Sequence, residues 1–239
     1  MGELLEFVKR ENEIFRILKR LVEKELDVIV VGGYAVSGLA RHRFSVDCDL
    51  VVPKRELRNL EELLEKEGFE GHFSKKGFDK TYAGEFISFR KGVNELPVTI
   101  DLLVGSLVCR ATEAAWSFDY IREHSVEATI SGIEMVVNCR VPERELLLAF
   151  KIHSGRRTDI RDIAMMMEES DMKKLLNHLR KGKIDALKAQ VSSIIKTLDD
   201  EKLIDSLKGV FTLTADVKKQ IASTKKKMES IQENVLLDT

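Results

Sequence analysis

The sequence predicts an α+β protein, in which an α/β first half of about 140 residues is followed by a helical second half. Two observations predict this division. Short apolar runs that end at glycine or proline, typical of strands, alternate with helical periodicity in the first half. From Pro142 onward the spacing of apolar residues is helical throughout. We therefore expect one domain over 1–140 and a second, helical domain over 141–239.

Local patterns give the elements of the first half in order. Apolar residues at three- and four-residue spacing predict the first helix, and an apolar run that ends at Gly32 predicts the first strand. The predicted elements are a helix over 3–25, a strand over 27–31, a short helix over 34–41, a strand over Asp47–Val52, a helix over 54–67, strands over 69–74, 81–90 and 98–104, and a hairpin over 126–130 and 134–139.

The composition excludes several classes of protein. Of the 239 residues, 44% are hydrophobic and 33% are charged, which is typical of a globular protein long enough to bury a core. The net charge of −1 does not by itself indicate nucleic-acid binding. The three cysteines form no C-x-x-C pair, which argues against a disulfide framework or a zinc knuckle. With no apolar signal segment and no run of about 20 apolar residues, we expect a soluble, cytoplasmic protein without a membrane partner.

Two aspartates on one predicted strand form the first chemical feature. Residues two apart on a strand point to the same face, so Asp47 and Asp49 project together, while Val46, Cys48 and Leu50 face the apolar side. Two carboxylates this close repel each other unless a cation lies between them. Because carboxylate oxygens are hard ligands that suit Mg²⁺ or Mn²⁺, the pair predicts a divalent-metal site.

A third carboxylate and a pair of glycines extend this site. Asp101 lies within the apolar strand 98–104, where an unpaired carboxylate would be costly to bury. If that strand lies beside the first two aspartates, three carboxylates can hold two metals for in-line attack at phosphorus. Gly32 and Gly33 let backbone N–H groups approach phosphate oxygens at the start of the next helix. The chain lacks G-x-x-x-x-G-K-[ST] and G-x-G-x-x-G, which excludes those two phosphate-binding loops.

Either pattern alone occurs by chance, as an acid pair or a plain turn, but together and in this order they favour a functional site. The segment resembles the signature of the polymerase-β-like nucleotidyltransferase superfamily: a hydrophobic residue, Gly-[Gly/Ser], about ten to thirteen residues, and then Asp-hydrophobic-Asp. Here thirteen residues, 34–46, separate Gly33 from Asp47. The lead-in RFSVD over 43–47 is similar to the Arg-x-[Ser/Thr]-x-Asp of the branch that includes AbiEii/AbiGii-type toxins. Cys48 departs slightly from the usual middle residue but is apolar enough to pack.

The resemblance implies a fold, a reaction and a set of roles. It implies an α/β nucleotidyltransferase core with a mixed sheet, which transfers a nucleoside monophosphate from an NTP to an acceptor hydroxyl and releases pyrophosphate. By this resemblance Asp47 and Asp49 bind the metals, and Asp101 is the third metal-site carboxylate, which helps to activate the attacking hydroxyl. The residues expected to contact the nucleotide are Gly32, Gly33, Arg43 and Ser45, together with Arg156 and Asp159 from the second motif described next.

A second dense motif lies in the helical half. Lys151, Arg156, Asp159 and Asp162 match the Lys-x₄-Arg-x₂-Asp-x₂-Asp pattern that follows the catalytic domain in the same branch. The resemblance implies that Lys151 reaches the nucleotide phosphates as a catalytic residue, which would bring the helical domain into the active-site cleft. Physically, a lysine suits a triphosphate, and Asp159 could orient Lys151 or Arg156. The alternative is a salt-bridge cluster between two helices.

The acceptor stays open between the 3′ end of a tRNA, a protein side chain and a small molecule such as an aminoglycoside. The toxin-like relatives also suggest an antitoxin partner. A second hypothesis, from another class, is a non-catalytic nucleotide-binding regulator or the interaction half of a toxin–antitoxin pair. The three intact aspartates argue against it, because a degenerate fold would have little need of them.

Overall fold

The structure is a computed structural model that describes residues 2–94, 96–211 and 217–237. Its helices are α1 (Gly2–Glu23), α2 (Gly32–Leu39), α3 (Leu57–Lys66), α4 (Phe118–Glu123), α5 (Arg144–Ser154), α6 (Arg157–Met166), α7 (Met172–Leu179), α8 (Ile184–Leu198), α9 (Glu201–Phe211) and α10 (Val217–Leu237). Its strands are β1 (Ile29–Val30), β2 (Asp47–Val52), β3 (Glu70–Lys75), β4 (Glu85–Val93), β5 (Leu96–Val104), β6 (Ser106–Cys109), β7 (Ala114–Ser117), β8 (Ser125–Ser131) and β9 (Val136–Pro142).

Five strands form one mixed sheet in the order β1-β2-β5-β4-β3. The β2 and β5 strands run parallel, and the other neighbouring pairs are antiparallel. A parallel pair needs a long crossover, and here α3, β3 and β4 fill the chain between β2 and β5. The predicted α+β fold, with a mixed sheet followed by a helical region, is confirmed.

The two faces of this sheet differ in burial. Cys48, Leu50, Ile100 and Leu102 alternate with the acidic residues along β2 and β5, and all four are fully buried. The amphipathic helix α1 contacts β4 and β5 and buries its own apolar stripe, including Ile14. The opposite face carries the polar residues and is the more open one, which leaves the acidic side chains accessible.

The chain divides into two compact units. The first contains the residues up to 107 together with Trp116–Pro142, and the second contains Val108–Ala115 together with the residues from Glu143 onward. In the first unit, the β8–β9 hairpin packs against α1, α2 and β1. In the second, α5 packs against α6, α7 and α8, and α10 packs against α6, α8 and α9. Of the predicted helical half, residues 212–216 and 238–239 lie outside the described residues.

Three parts of the first half differ from the sequence prediction. The strand predicted over 81–90 begins only at Glu85, because the carboxylate of Asp79 accepts the backbone N–H groups of Thr81, Tyr82 and Gly84 and so holds the chain in a turn. The helix predicted from 54 begins as a 3₁₀ turn over Lys54–Glu56. The short elements β6, β7 and α4 were not predicted, since runs of four to six residues carry little periodicity.

Within the described ranges, no helix combines the length and the apolar character that crossing a membrane requires.

Candidate active site

The three predicted aspartates meet on the open face of the sheet. Asp49 on β2 lies directly beside Asp101 on β5 in the parallel register, and Asp47 lies two residues earlier on β2. One carboxylate oxygen from each of the three falls within 4.8 Å of the others. Asp47 is exposed, and the other two are half-buried. The alternation of β2 and the pairing with β5 therefore bring together all three acids that the sequence indicated.

Asp101 is half-buried and has a hydrogen-bond partner on the neighbouring strand. Its Oδ1 accepts a hydrogen bond of 2.7 Å from the hydroxyl of Ser88, which lies opposite it on β4. Burial raises the pKa of Asp101 above its ordinary value, and the nearby charge of Asp47 adds to the rise. The bond from Ser88 and the charge of His72 offset part of this effect. The environment thus favours a carboxyl group that takes up a proton more readily than an exposed aspartate does.

Gly32 lies against the second aspartate. It has a φ of +64°, a conformation that favours glycine, and it begins α2 directly after β1. A Cβ atom at this position would lie 2.1 Å from Oδ2 of Asp49. Val31 provides no side-chain cap for α2, and the positive N-terminal end of this helix lies close to the carboxylate. Only a residue without a side chain allows the backbone and the acid to approach this closely.

Gly33 lies beside Arg43 and Ser45, which were also predicted to contact the nucleotide. A Cβ atom there would lie 2.6 Å from the hydroxyl oxygen of Ser45 and 3.0 Å from both terminal nitrogens of Arg43. The hydroxyl of Ser45 is also 3.4 Å from Oδ1 of Asp47. The structure therefore groups a guanidinium, a hydroxyl and the start of a helix next to the acids, which is a set of donors suited to phosphate oxygens.

The residues around Asp47 agree only in part with the predicted packing. Cys48 is fully buried, and burial raises the pKa of its thiol well above the ordinary value, so it packs as an apolar residue. Val46 is 54% exposed, so its predicted place on the apolar side is wrong. It lies one residue before β2 begins, where the strand alternation does not yet apply.

Lys151 on α5 lies in a buried ion-pair cluster of the second unit. Its Nζ is 2.8 Å from Oδ1 of Asp159 and 2.8 Å from Oδ2 of Asp162, both on α6. Arg156, which precedes α6, donates from Nε to Oδ2 of Asp159 at 2.8 Å. Lys151 is 5% exposed, and each aspartate is 1% exposed. Asp159 contacts Lys151 and Arg156, the two cations that the sequence offered as alternatives, and the interhelical salt-bridge cluster is present as well.

The charges of this cluster are mutually compensated. Burial alone would lower the pKa of Lys151, but the charges of Asp162 and Asp159 outweigh it and raise that pKa. Burial likewise would raise the pKa of Asp159, and Lys151 together with Arg156 lowers it instead. A phosphate bound by Lys151 would have to compete with two carboxylates. The roles of Lys151, Arg156 and Asp159 at the nucleotide stay predictions.

Sequence reasoning did not identify the neighbours of Asp101. The sequence assigns Ser88 to a strand and gives no role to His72. Two-residue alternation does place Ser88 on the same strand face as Phe86 and Arg90. The missing information was the strand pairing. Because β3, β4 and β5 form one antiparallel set, residues far apart in sequence become neighbours of the third acid.

The geometry of the three aspartates is suited to a divalent cation, as two observations show. Three carboxylates with oxygens within 4.8 Å of one another form an unfavourable concentration of like charge, which a cation would relieve. The missing Cβ of Gly32 leaves room for the carboxylate of Asp49 at the start of α2. The donor set consists only of carboxylate oxygens, which suits Mg²⁺ or Mn²⁺ better than zinc.

No protein-family model matches the chain, and no curated protein matches it. Among solved structures, the chain is similar to JHP933 from Helicobacter pylori, at 15% sequence identity and a TM-score of 0.49, with 97% of this chain and 94% of that one covered. It is similar to the lincosamide antibiotic adenylyltransferase LnuA with bound lincomycin, at 19% identity and a TM-score of 0.46, covering 67% and 98%. It is also similar to ANT(2")-Ia in complex with adenylyl-2"-tobramycin, at 18% identity and a TM-score of 0.40, covering 83% and 94%. Similarity at this level carries no argument about reaction or substrate, which rest on the site itself.

Proposed function

We propose that the protein is a metal-dependent nucleotidyltransferase, which moves a nucleoside monophosphate from an NTP to an acceptor hydroxyl. The observation that carries the proposal is the convergence of Asp47, Asp49 and Asp101 beside the glycine turn that begins α2. A purely structural role does not explain it, because three adjacent carboxylates destabilise a fold unless they bind something positive.

The residues of the site divide into two groups. Asp47, Asp49 and Asp101 would hold Mg²⁺ or Mn²⁺, which when bound neutralises charge on the phosphates and lowers the barrier to attack at phosphorus. Gly32 and Gly33, at the N-terminus of α2, would contact the phosphates through the backbone. Arg43 and Ser45 lie next to Gly33, and their side chains would bind phosphate oxygens from the other side.

The proposed step is an in-line displacement. The acceptor oxygen forms a bond to the α-phosphorus while the bond from that phosphorus to the pyrophosphate oxygen breaks, and pyrophosphate leaves. Asp101 takes the proton of the acceptor hydroxyl at Oδ2, because Ser88 already donates to Oδ1. Arg43 holds negative charge on the departing phosphates.

The test is a transfer assay in which the protein is incubated with Mg²⁺, each labelled NTP in turn, and either total RNA or a protein extract. We expect label in one acceptor fraction. Asp101→Asn should lower kcat by about 10²- to 10⁴-fold, as loss of a general base does. Asp47→Asn and Asp49→Asn should abolish both transfer and Mg²⁺ binding.

Thermal unfolding separates this loss of function from a loss of fold. Without metal, each of these three substitutions should leave the melting temperature unchanged or raise it, because it removes a repelling charge. Asp205→Asn, at an exposed position on α9, is the matched control and should leave transfer unchanged. Transfer that survives in Asp47→Asn or Asp49→Asn would overturn the proposal.

A further inference from the structure

The open face of the sheet continues beyond the acids toward the edge strand β3. Residues paired across neighbouring strands share a face, so two rows cross this surface. One row is Asp47, Thr99, Arg90 and Glu70, and the other is Asp49, Asp101, Ser88 and Phe73. Arg90 therefore lies two strands from Asp47, a separation of roughly 10 Å between backbones.

A cavity of about 370 Å³ lies at the far end of the first row, where Arg90 and Glu70 line it. Its lining combines three glycines with four charged or titratable residues: Gly68, Gly71 and Gly92, with Glu70, His72, Arg90 and Lys91. At Gly71 and Gly92 a Cβ atom would meet nothing within 4 Å, so the backbone there is open to an approaching group. The wall is thus polar and carries two cations, one acid and an imidazole.

Within the described ranges, two nitrogen-bearing side chains of this wall have no hydrogen-bonded partner. Among the described residues, Arg90 and His72 form no hydrogen bond or ion pair, and His72 interacts only with the charge of Asp101. Lys91 is already engaged, since its Nζ donates to Glu13 at 2.8 Å and to the carbonyl of Glu67 at 2.7 Å. Glu70 is the acid in the wall, and it does not pair with Arg90.

We propose that this cavity binds a phosphate group of the acceptor, held by Arg90 and His72, and this inference rests on the proposed nucleotidyl transfer. A guanidinium binds phosphate oxygens through two parallel N–H groups, and glycines permit additional backbone contact. An acceptor anchored here would extend along the open face, across Thr99 and Ser88, and present a hydroxyl at Asp101.

The first experiment measures anion binding without any turnover. Inorganic phosphate is titrated at constant ionic strength while the imidazole resonances of His72, assigned with His72→Gln, are followed by NMR. Arg90→Gln should weaken phosphate binding by about tenfold, as loss of a charge-assisted hydrogen bond does. Glu70→Gln should tighten it by about twofold to threefold, because a repelling charge is removed. Arg58→Gln, at an exposed position on α3, is the control and should change nothing.

Opposite effects of the Arg90 and Glu70 substitutions support the site. Equal affinity in the wild type, Arg90→Gln and Glu70→Gln overturns it. Because this measurement needs no acceptor and no NTP, it gives a result even if the protein transfers no nucleotide. The site would then stand as an anion site, while the proposed function and the acceptor assignment would fail.

The second experiment assigns the site to the acceptor. In the transfer assay, Arg90→Gln should raise the acceptor KM by about tenfold and leave the KM for the NTP unchanged. An unchanged acceptor KM overturns the inference, although transfer itself would stand. Two arms identify the source of the phosphate: competition by a short single-stranded RNA indicates a phosphodiester, and competition by a sugar phosphate alone indicates a small phosphorylated molecule.

Discussion

At the scale of single residues, the site depends on the absence of a side chain at Gly32. The carboxylate of Asp49 occupies the space that a Cβ atom would need, and the backbone conformation is one that other residues adopt with strain. Gly33 is less restrictive, because the atoms that its Cβ would meet are the ends of the movable side chains of Ser45 and Arg43. The two neighbouring glycines are therefore not equivalent.

This difference gives a prediction for Gly32→Ala. The new methyl group must displace Asp49, so we expect Mg²⁺ binding to weaken strongly and the free energy of unfolding to fall by about 1–3 kcal/mol from backbone strain. Isothermal titration with Mg²⁺ and chemical denaturation measure the two effects. Gly209→Ala, near the C-terminal end of α9, is the control: nothing lies within 4 Å of the added Cβ, so the protein should be stabilised by up to about 1 kcal/mol. Wild-type metal affinity in Gly32→Ala would contradict the assignment of Asp49.

Single residues also show what sequence reasoning could reach. Asp47, Asp49 and Asp101 were accessible, since a strand alternates with a period of two and an acid in an apolar run stands out. Arg90 and His72 were not, because their positions follow from which strands pair. An irregularity in the β3–β4 register between Gly71 and Phe73 makes His72 an extra residue of β3, and no local pattern announces such a bulge.

At the scale of elements, most helices and strands of the first half were predictable from the sequence, but the pairing of the strands and the packing of the helices were not. The bounds of β2 were predicted as found, because Pro53 ends the run. The parallel pairing of β2 with β5 joins segments about fifty residues apart in the chain, and it depends on α3, β3 and β4 folding between them. The helices α5 and α6 were expected in outline, but the buried ion pairs from Lys151 to Asp159 and Asp162 that join them are a tertiary feature.

Lys151 gives the prediction at this scale. Lys151→Met would leave Asp159 and Asp162 buried without their shared cation, so we expect a loss of about 3–5 kcal/mol in unfolding free energy. Arg156→Gln should cost less than about 1 kcal/mol, because the Arg156 side chain is 71% exposed and its ion pair is screened by solvent. Denaturation of both variants tests this contrast, and equal losses would contradict it.

A compensated variant separates the structural role of Lys151 from the predicted phosphate contact. Replacing all three residues, as Lys151→Met with Asp159→Asn and Asp162→Asn, should recover much of the stability because no buried charge remains. If Lys151 binds phosphate, this variant folds but shows a raised KM for the NTP. If its KM is unchanged, the cluster only joins α5 to α6.

At the scale of the whole molecule, the chain forms two units that the order of residues does not reveal completely. The segment Val108–Ala115 belongs with the helices, although it follows the last strand of the sheet. Its place depends on distant partners: the Thr112 hydroxyl bonds to His153 on α5, and the Thr112 carbonyl accepts the N–H of Lys183. Such contacts come from packing, which sequence periodicity does not encode.

His153 makes the stability of the molecule depend on pH. It is fully buried, its Nδ1 is 2.7 Å from the Thr112 hydroxyl, and its Nε2 is 3.2 Å from the carbonyl of Leu179. Burial lowers the pKa of His153 from 6.5 to about 4. Above pH 6.5 the imidazole is neutral in the folded and the unfolded chain, so its full contribution is present. Between pH 6.5 and about pH 4 only the unfolded chain binds the proton at His153, so the free energy of unfolding falls as the pH is lowered.

The size of this effect and its test follow from the same shift. The loss should reach about 3 kcal/mol near pH 4, relative to a variant that cannot titrate at this position. The difference in unfolding free energy between the wild type and His153→Gln, measured from pH 7 to pH 4, removes the contribution of the carboxylates, because these titrate in both proteins. Circular dichroism follows the helices, while fluorescence of Trp116, the only tryptophan, follows the first unit. The wild type should lose helical signal at a higher pH than His153→Gln does. Parallel pH profiles of the two proteins would show that His153 is not held neutral by burial.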